Sequence, residues 1–246
     1  MVVSPFYSLR RVAAAALALA CLLPACANAA LTLSATRLVI TDDKRSASLV
    51  VRNPGNSTYA AQAWVNTEAD DTTTEVPLMP APALFRVGPG QEQLVTVNRL
   101  PNTLPDDRES VFYFNLQEIP QKSEGTSNTL RIALRTRIKV FMRPSQFKGD
   151  PTLRLKELRW HRERQAGRDY LVVDNPTPFH FSFVTLRARS GGKEHALTVA
   201  PMVAPLSRQR YPVDIPLGND ARLAVAAIND YGGFTDPLEL ALPLSP

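Results

Sequence analysis

The sequence predicts an all-β chain folded as two β-sandwich domains, and three observations carry that prediction. First, residues 128–144 alternate: even positions from 130 to 142 read Leu, Ile, Leu, Thr, Ile, Val, Met, and odd positions from 131 to 143 read Arg, Ala, Arg, Arg, Lys, Phe, Arg. Period two over this length marks a strand and fits no helical repeat. Second, shorter runs rich in Val, Leu, Thr and aromatics recur on both sides of it, split by Asn, Asp, Gly and Pro, the punctuation of a sandwich. Third, no stretch shows a convincing amphipathic helical period. A polar segment with Gly and Pro, residues 145–151, separates the two sets and places a domain boundary there.

The chain opens with Arg10 and Arg11, an apolar run over 12–23, and Pro24-Ala25-Cys26-Ala27-Asn28-Ala29. A basic start, a short apolar middle and an Ala-x-Ala end read as a secretory signal peptide over 1–29, cleaved after Ala29. The run is shorter than the ~20 residues of a membrane span. Leu23-Pro24-Ala25-Cys26 loosely resembles a lipobox, though the proline fits poorly there. Both cysteines, Cys21 and Cys26, lie in this leader. The mature chain then has none, and each domain must hold itself with an ordinary core. The formal net charge is +5, and the leader's two arginines account for two of it. The mildly basic remainder shows no clustered basic stripe with stacking aromatics, which argues against nucleic-acid binding.

Taken in order, the first half reads as strands at 31–40, 47–52, 59–65, 84–87, 93–100 and 110–119, then the long alternating run. Asn53-Pro54-Gly55-Asn56 and Gly88-Pro89-Gly90 are turns. Pro77, Pro80 and Pro82 keep the piece between 77 and 82 extended and irregular, because proline lacks an N–H donor. About seven strands at regular spacing is the pattern of an immunoglobulin-like sandwich. The second half repeats the style, with strands expected at 153–160, 170–174, 179–187, 194–199, 211–215, 222–228 and 234–242, the last two joined by the turn Asn229-Asp230-Tyr231-Gly232-Gly233. The domains are therefore drawn at 30–147 and 148–246, the second a smaller sandwich.

Catalytic chemistry finds little footing. His161, His180 and His195 are dispersed and none stands in a metal-ligand spacing. No Gly-x-Ser-x-Gly elbow and no phosphate-cradling Gly loop are present. Asp106, Asp107 and Glu109 cluster, but a solvated loop with one ion-paired Glu describes them better than a glycosidase pair. Trp64 and Trp160 are expected in the core. No enzyme activity, no metal and no cofactor is expected.

The stretch from Leu104-Pro105-Asp106-Asp107-Arg108-Glu109 to Glu118-Ile119-Pro120 closely resembles the signature of the periplasmic pilus chaperones of the chaperone–usher route. Ile138-Lys139-Val140-Phe141-Met142-Arg143-Pro144, Asp174-Asn175-Pro176-Thr177-Pro178, Met202-Val203-Ala204-Pro205 and Ile228-Asn229-Asp230-Tyr231-Gly232-Gly233 resemble further motifs of that family, in the family's order. The resemblance implies two immunoglobulin-like domains in a boomerang, working in the periplasm on pilus subunits and handing them to an outer-membrane usher. A subunit lacking its final strand exposes an apolar groove and unpaired backbone groups, and the chaperone lends the missing strand. Asn128, Leu130, Ile132 and Leu134 match the donor strand. Arg37 and Lys139 match the pair of cations that anchor the subunit's C-terminal carboxylate. Glu109, Arg143 and Asp230 match an ion network between the domains. The short polar loop 121–127 and the lack of a cysteine pair resemble the short-loop subgroup.

By periodicity alone the long strand has two readings. It is an edge strand with a mobile tip, or it fills its own core with one part and offers Leu130, Ile132 and Leu134 to a partner with the other. Lys139 has the opposite parity to those three residues. A bulge or strong twist is therefore expected between the groove segment and the cleft segment. Exposed donor residues also suggest a self-capping homodimer of the free protein. The competing classes are a fimbrial structural subunit, which should be one incomplete sandwich, and a periplasmic carbohydrate-binding protein, which should show an aromatic platform.

Overall fold

The computed structural model describes residues 31–71, 73–119, 133–197 and 200–244. The first half supplies β1 (Thr32–Leu33), β2 (Arg37–Thr41), β3 (Ser46–Arg52), β4 (Tyr59–Asn66), β5 (Leu78–Ala81), β6 (Leu84–Val87), β7 (Glu92–Arg99), β8 (Ser110–Ile119) and β9 (Arg135–Arg143). The second half supplies β10 (Arg159–Gln165), β11 (Arg168–Asn175), β12 (Phe183–Ser190), β13 (Lys193–Ala196), β14 (Ser207–Val213), β15 (Arg222–Ala227) and β16 (Leu238–Ala241). Sheets β1-β3-β7-β5 and β2-β9-β8-β4-β6 face each other in one sandwich; β10-β11-β14 and β13-β12-β15-β16 form the other. Each sandwich has its own core. Ile40, Val51, Val95, Phe114 and Val140 anchor the first, and Trp160, Leu171, Phe181, Tyr211 and Leu223 the second.

The single strand expected over 31–40 is two. Chain segment 34–36 crosses between sheets, so β1 pairs antiparallel with β3 while β2 pairs parallel with β9. A hydrogen bond from Val50 N to Ser34 Oγ (2.9 Å) and another from Ser34 N to Val50 O (2.9 Å) close the corner. The proline-rich piece is not irregular either. β5 runs through Pro80 at the rim of its sheet, where a missing donor is tolerated because one side of an edge strand needs no partner. Residues 153–160 also differ from expectation. Pro151–Glu157 is a 3₁₀ helix, capped by Asp150, whose carboxylate accepts from Thr152 N at 2.8 Å. Proline at a helix start costs no hydrogen bond. The charged run that follows is itself strand β10, whose register with β11 is continuous from Arg159↔Asp174 to Gln165↔Arg168.

Trp64 lies outside the core. Along β4, Ala61, Ala63 and Val65 are buried, which turns Trp64 to the outer face, where the Arg135 guanidinium sits 4.9 Å above its ring. Trp160 is in the core as expected.

Candidate functional site

Strand β9 builds the site, because its two faces meet different surroundings. The β8–β9 ladder runs without a register shift from Ser110↔Met142 to Gln117↔Arg135, and Glu118 N donates to Leu134 O (2.9 Å) one step further. The bulge expected between Leu134 and Lys139 is therefore absent. Unbroken alternation places the two sets of side chains on opposite faces and needs no irregularity. On the even face, Ile138, Val140 and Met142 fill the first core, whereas Thr136 and Leu134 extend beyond it, Leu134 at 49% exposure. Asn128, Leu130 and Ile132 lie outside the described residues.

The odd face becomes more buried from Arg135 to Arg143, as the second sandwich covers it. Parallel pairing of β2 with β9 sets Arg37 directly beside Lys139. Both line a cleft of about 390 Å³ with Thr36 and Tyr113 on one side and Ile228, Gly232 and Phe234 on the other. Lys139 Nζ donates to Ser182 Oγ at 2.7 Å, and Arg37 Nη1 donates to Ile228 O at 3.1 Å. Arg37 Nε is buried with no acceptor among the described residues. Neither cation reaches a carboxylate there. Burial, and then the neighbouring Arg37 charge, lower the Lys139 pKa. Burial likewise lowers that of Arg37, with Asp230 and Asp150 opposing from a distance. Two adjacent, partly desolvated cations form a site that an anion stabilises.

Further along the same face, Glu109, Arg143 and Asp230 are brought together. Arg143 Nε donates to Glu109 Oε1 at 2.6 Å; its two terminal nitrogens donate to Asp230 Oδ2 at 2.7 Å and Oδ1 at 2.9 Å. Burial alone would lower the Arg143 pKa, but Asp230 and Glu109 outweigh it and hold it above its ordinary value. The network has a fourth member that sequence reasoning missed. His180 gives its backbone N–H to Glu109 Oε2 at 2.9 Å, and its Nδ1 lies 3.2 Å from the same oxygen. Glu109 N in turn donates to Pro178 O (2.9 Å). The signal was present, since His180 stands two residues after the Asp174–Pro178 motif. Ser182 and the Ile228 carbonyl were missed as well.

Comparison with known proteins gives the family. Two family models cover the chain, described as "Pili and flagellar-assembly chaperone, PapD N-terminal domain" over residues 30–148 and "Pili assembly chaperone PapD, C-terminal domain" over residues 154–238. The chain belongs to the PapD-like pilus assembly chaperones. This is a chaperone family, not an enzyme family. Among these pilus assembly chaperones, the chaperone protein FimB/FhaD of Bordetella pertussis is 34% identical over 246 residues, 95% of this chain and 97% of that protein. The probable fimbrial chaperone YadV of Escherichia coli K12 is 34% identical over 213 residues, 82% of this chain and 86% of that one. The crystal structure of the YadV chaperone superimposes with a TM-score of 0.74 at 32% identity, covering 86% of this chain and 99% of that one. A chain of the Salmonella enterica SafA pilin–SafB chaperone complex gives a TM-score of 0.75 at 26% identity, over 89% of this chain and 99% of that one.

Proposed function

We propose that this chaperone captures pilus subunits in the periplasm by lending them a strand, with the subunit's C-terminal carboxylate held between Arg37 and Lys139. The observation that carries the reading is the pair of adjacent, partly buried cations with no carboxylate partner among the described residues. A chain terminus supplies the missing anion, and charge-assisted hydrogen bonds to two donors fix the register of whatever follows it. From that fixed point an added strand runs along β9 towards Leu134, whose half-exposed side chain continues the apolar face of Ile138 and Val140 past the domain's own core. Leu130 and Ile132 share its parity and, with Asn128, complete the proposed donor segment. Each such side chain contributes roughly 1.5–3 kcal/mol when fully buried.

The same reading assigns 1–29 as a cleaved leader, divides the mature chain after residue 147, and gives Glu109, Arg143 and Asp230 the task of orienting the two domains. The polar loop 121–127 and the confinement of cysteine to positions 21 and 26 favour the short-loop subgroup. Delivery to an outer-membrane usher and capping of the free donor strand in a homodimer belong to the proposal.

The test is a periplasmic pull-down from a host making pili, comparing wild type with Lys139→Ala. The expected result is a small secreted β-protein that co-purifies with wild type and is lost with the variant. A partner retained by Lys139→Ala would remove the carboxylate anchor, and the absence of any partner for wild type would overturn the chaperone mechanism.

A further inference from the structure

Among the described residues, neither Arg37 nor Lys139 donates a side-chain hydrogen bond within its own domain, whereas Arg137, the third cation lining the cleft, donates to Thr67 O (2.6 Å) of its own. The acceptor for Lys139 is the Ser182 hydroxyl and the acceptor for Arg37 is the Ile228 carbonyl, and both belong to the second sandwich. These two acceptors are also tied to each other, because Ile228 N donates to Ser182 O at 2.9 Å. One hydrogen-bonded pair of residues in the second domain therefore meets both cations at once. The Ser182 side chain is buried, so its position is set by the fold and not by solvent.

An ammonium on a four-carbon stem is a flexible point charge with three equivalent donors. An acceptor that fixes one donor fixes the direction of the remaining two. We propose that Ser182 is a positioning residue for the carboxylate anchor, aiming the Lys139 ammonium into the cleft beside Arg37, so that the anchor is complete only when the second domain is docked. This deepens, and rests on, the carboxylate reading given above. The second domain thereby has a part in recognition besides its structural one. A donor strand on the first domain alone would present Lys139 without its guide and Arg37 without its carbonyl.

The experiment uses the full mature chain as wild type, Ser182→Ala, Ser182→Thr and Lys139→Ala. The probe is the subunit that co-purifies with wild type, unfolded in guanidinium and diluted into each chaperone. Dissociation constants are measured from pH 7 to pH 10.5. The groups that face Lys139 are Arg37 on β2, Tyr113 on β8, Arg137 on β9 and Glu68 beyond β4, and all are unchanged across the set. A bound carboxylate favours protonated Lys139, so wild-type affinity is full below the free-protein pKa and falls as pH rises through it. Ser182→Ala removes an acceptor from the charged form. Affinity should drop about tenfold at pH 7, and its alkaline fall should begin at lower pH. Ser182→Thr keeps the hydroxyl and should restore both.

If Lys139→Ala weakens binding while Ser182→Ala changes neither the affinity nor the pH profile, the inference is overturned and the anchor stands. If Ser182→Ala weakens binding with the pH profile unmoved, Ser182 has a packing role only and the inference again fails. If Lys139→Ala binds as wild type does, the carboxylate reading itself is lost.

Discussion

Lys139 is kept charged in a place that penalises charge. Burial and the Arg37 guanidinium both lower its pKa below the ordinary 10.5, so in the free protein its charge opposes folding. The sign follows from linkage. The penalty is present in full below the folded-state pKa and is relieved as pH rises from there towards 10.5. The stability difference between wild type and Lys139→Met should therefore shift in favour of wild type between neutral and alkaline pH, read from urea midpoints across that range. A flat difference would mean that the ammonium is solvated in the free cleft. Destabilising charge retained beside an open cleft is what a binding site requires. Arg143 has the reverse relation to its surroundings. It too is buried, but two carboxylates meet it. Arg143→Ala leaves Glu109 buried without its cation, at a cost of about 3–5 kcal/mol, measurable by urea denaturation. Arg143→Lys keeps the charge but loses the fork that reaches both acids, and should fall between the two.

At the scale of elements, two pieces position the site. The first is the turn between β15 and β16. Asn229 braces it, accepting from Tyr231 N (3.0 Å) and Gly233 N (2.8 Å) with its side-chain oxygen. The turn delivers three groups at once: the Ile228 carbonyl to Arg37, Asp230 to Arg143, and Phe234, 66% exposed, to the cleft wall. Gly232 sits at φ +85°, and a Cβ there would collide with Thr36 Oγ1 of the first domain. Gly232→Ala should thus combine backbone strain of about 1 kcal/mol or more with displacement of the turn. The expected outcome is a lower urea midpoint together with weaker subunit binding. The second piece is the start of β9. Arg135 donates to both Asp70 oxygens and to Asn115 Oδ1, while the Arg137 guanidinium lies 4.0 Å from the Tyr113 ring centroid. The hydrogen bond from Arg135, then that from Asn66, lowers the Asp70 pKa from 3.8 to about 2. A depressed carboxylate contributes above its unfolded value and loses that contribution as pH falls through the folded one. The Asp70–Arg135 link should therefore persist at pH 4 and be lost near pH 2, which an NMR titration of the Asp70 carboxyl would follow.

At the scale of the whole molecule, the odd face of β9 runs through the contact between the two sandwiches, with Arg37 and Glu109 meeting the second domain beside it. Lys139, Phe141 and Arg143 are successive odd residues of β9, and each has a partner in the second domain: Ser182, the His180 ring at 5.7 Å, and Asp230. Orientation and recognition thus share a strand. Loosening the Glu109–Arg143–Asp230 network should reduce subunit affinity even though none of the three residues lines the cleft. Asp230→Asn tests this with little change in volume. Its expected effect is a several-fold weaker complex with a modest loss of stability, and unchanged affinity would separate the network from recognition.

The sequence by itself determined the strands with clear alternation and clear turns. β8 and β6 were legible end to end, β4 nearly so, and β9 over Arg135–Arg143, because period-two burial is a local property of the chain. It also determined the motif order that resembles the family, and with it Glu109, Arg143, Asp230, Arg37 and Lys139 as residues to watch. What it misread has physical reasons. The first strand switches sheets at a corner with no proline or glycine to mark it. Pro80 is tolerated because β5 is an edge, which is a fact of topology. Residues 151–157 follow their cap and proline instead of their apolar content. Trp64 follows the parity of its strand and not its hydrophobicity. Only the tertiary structure decided that Arg37 and Lys139 are neighbours, since a parallel pairing joins strands far apart in the chain. The same is true of Ser182, Ile228 and His180, whose contacts exist only because the second sandwich docks on the odd face of β9, and long-range docking leaves no periodic trace in sequence.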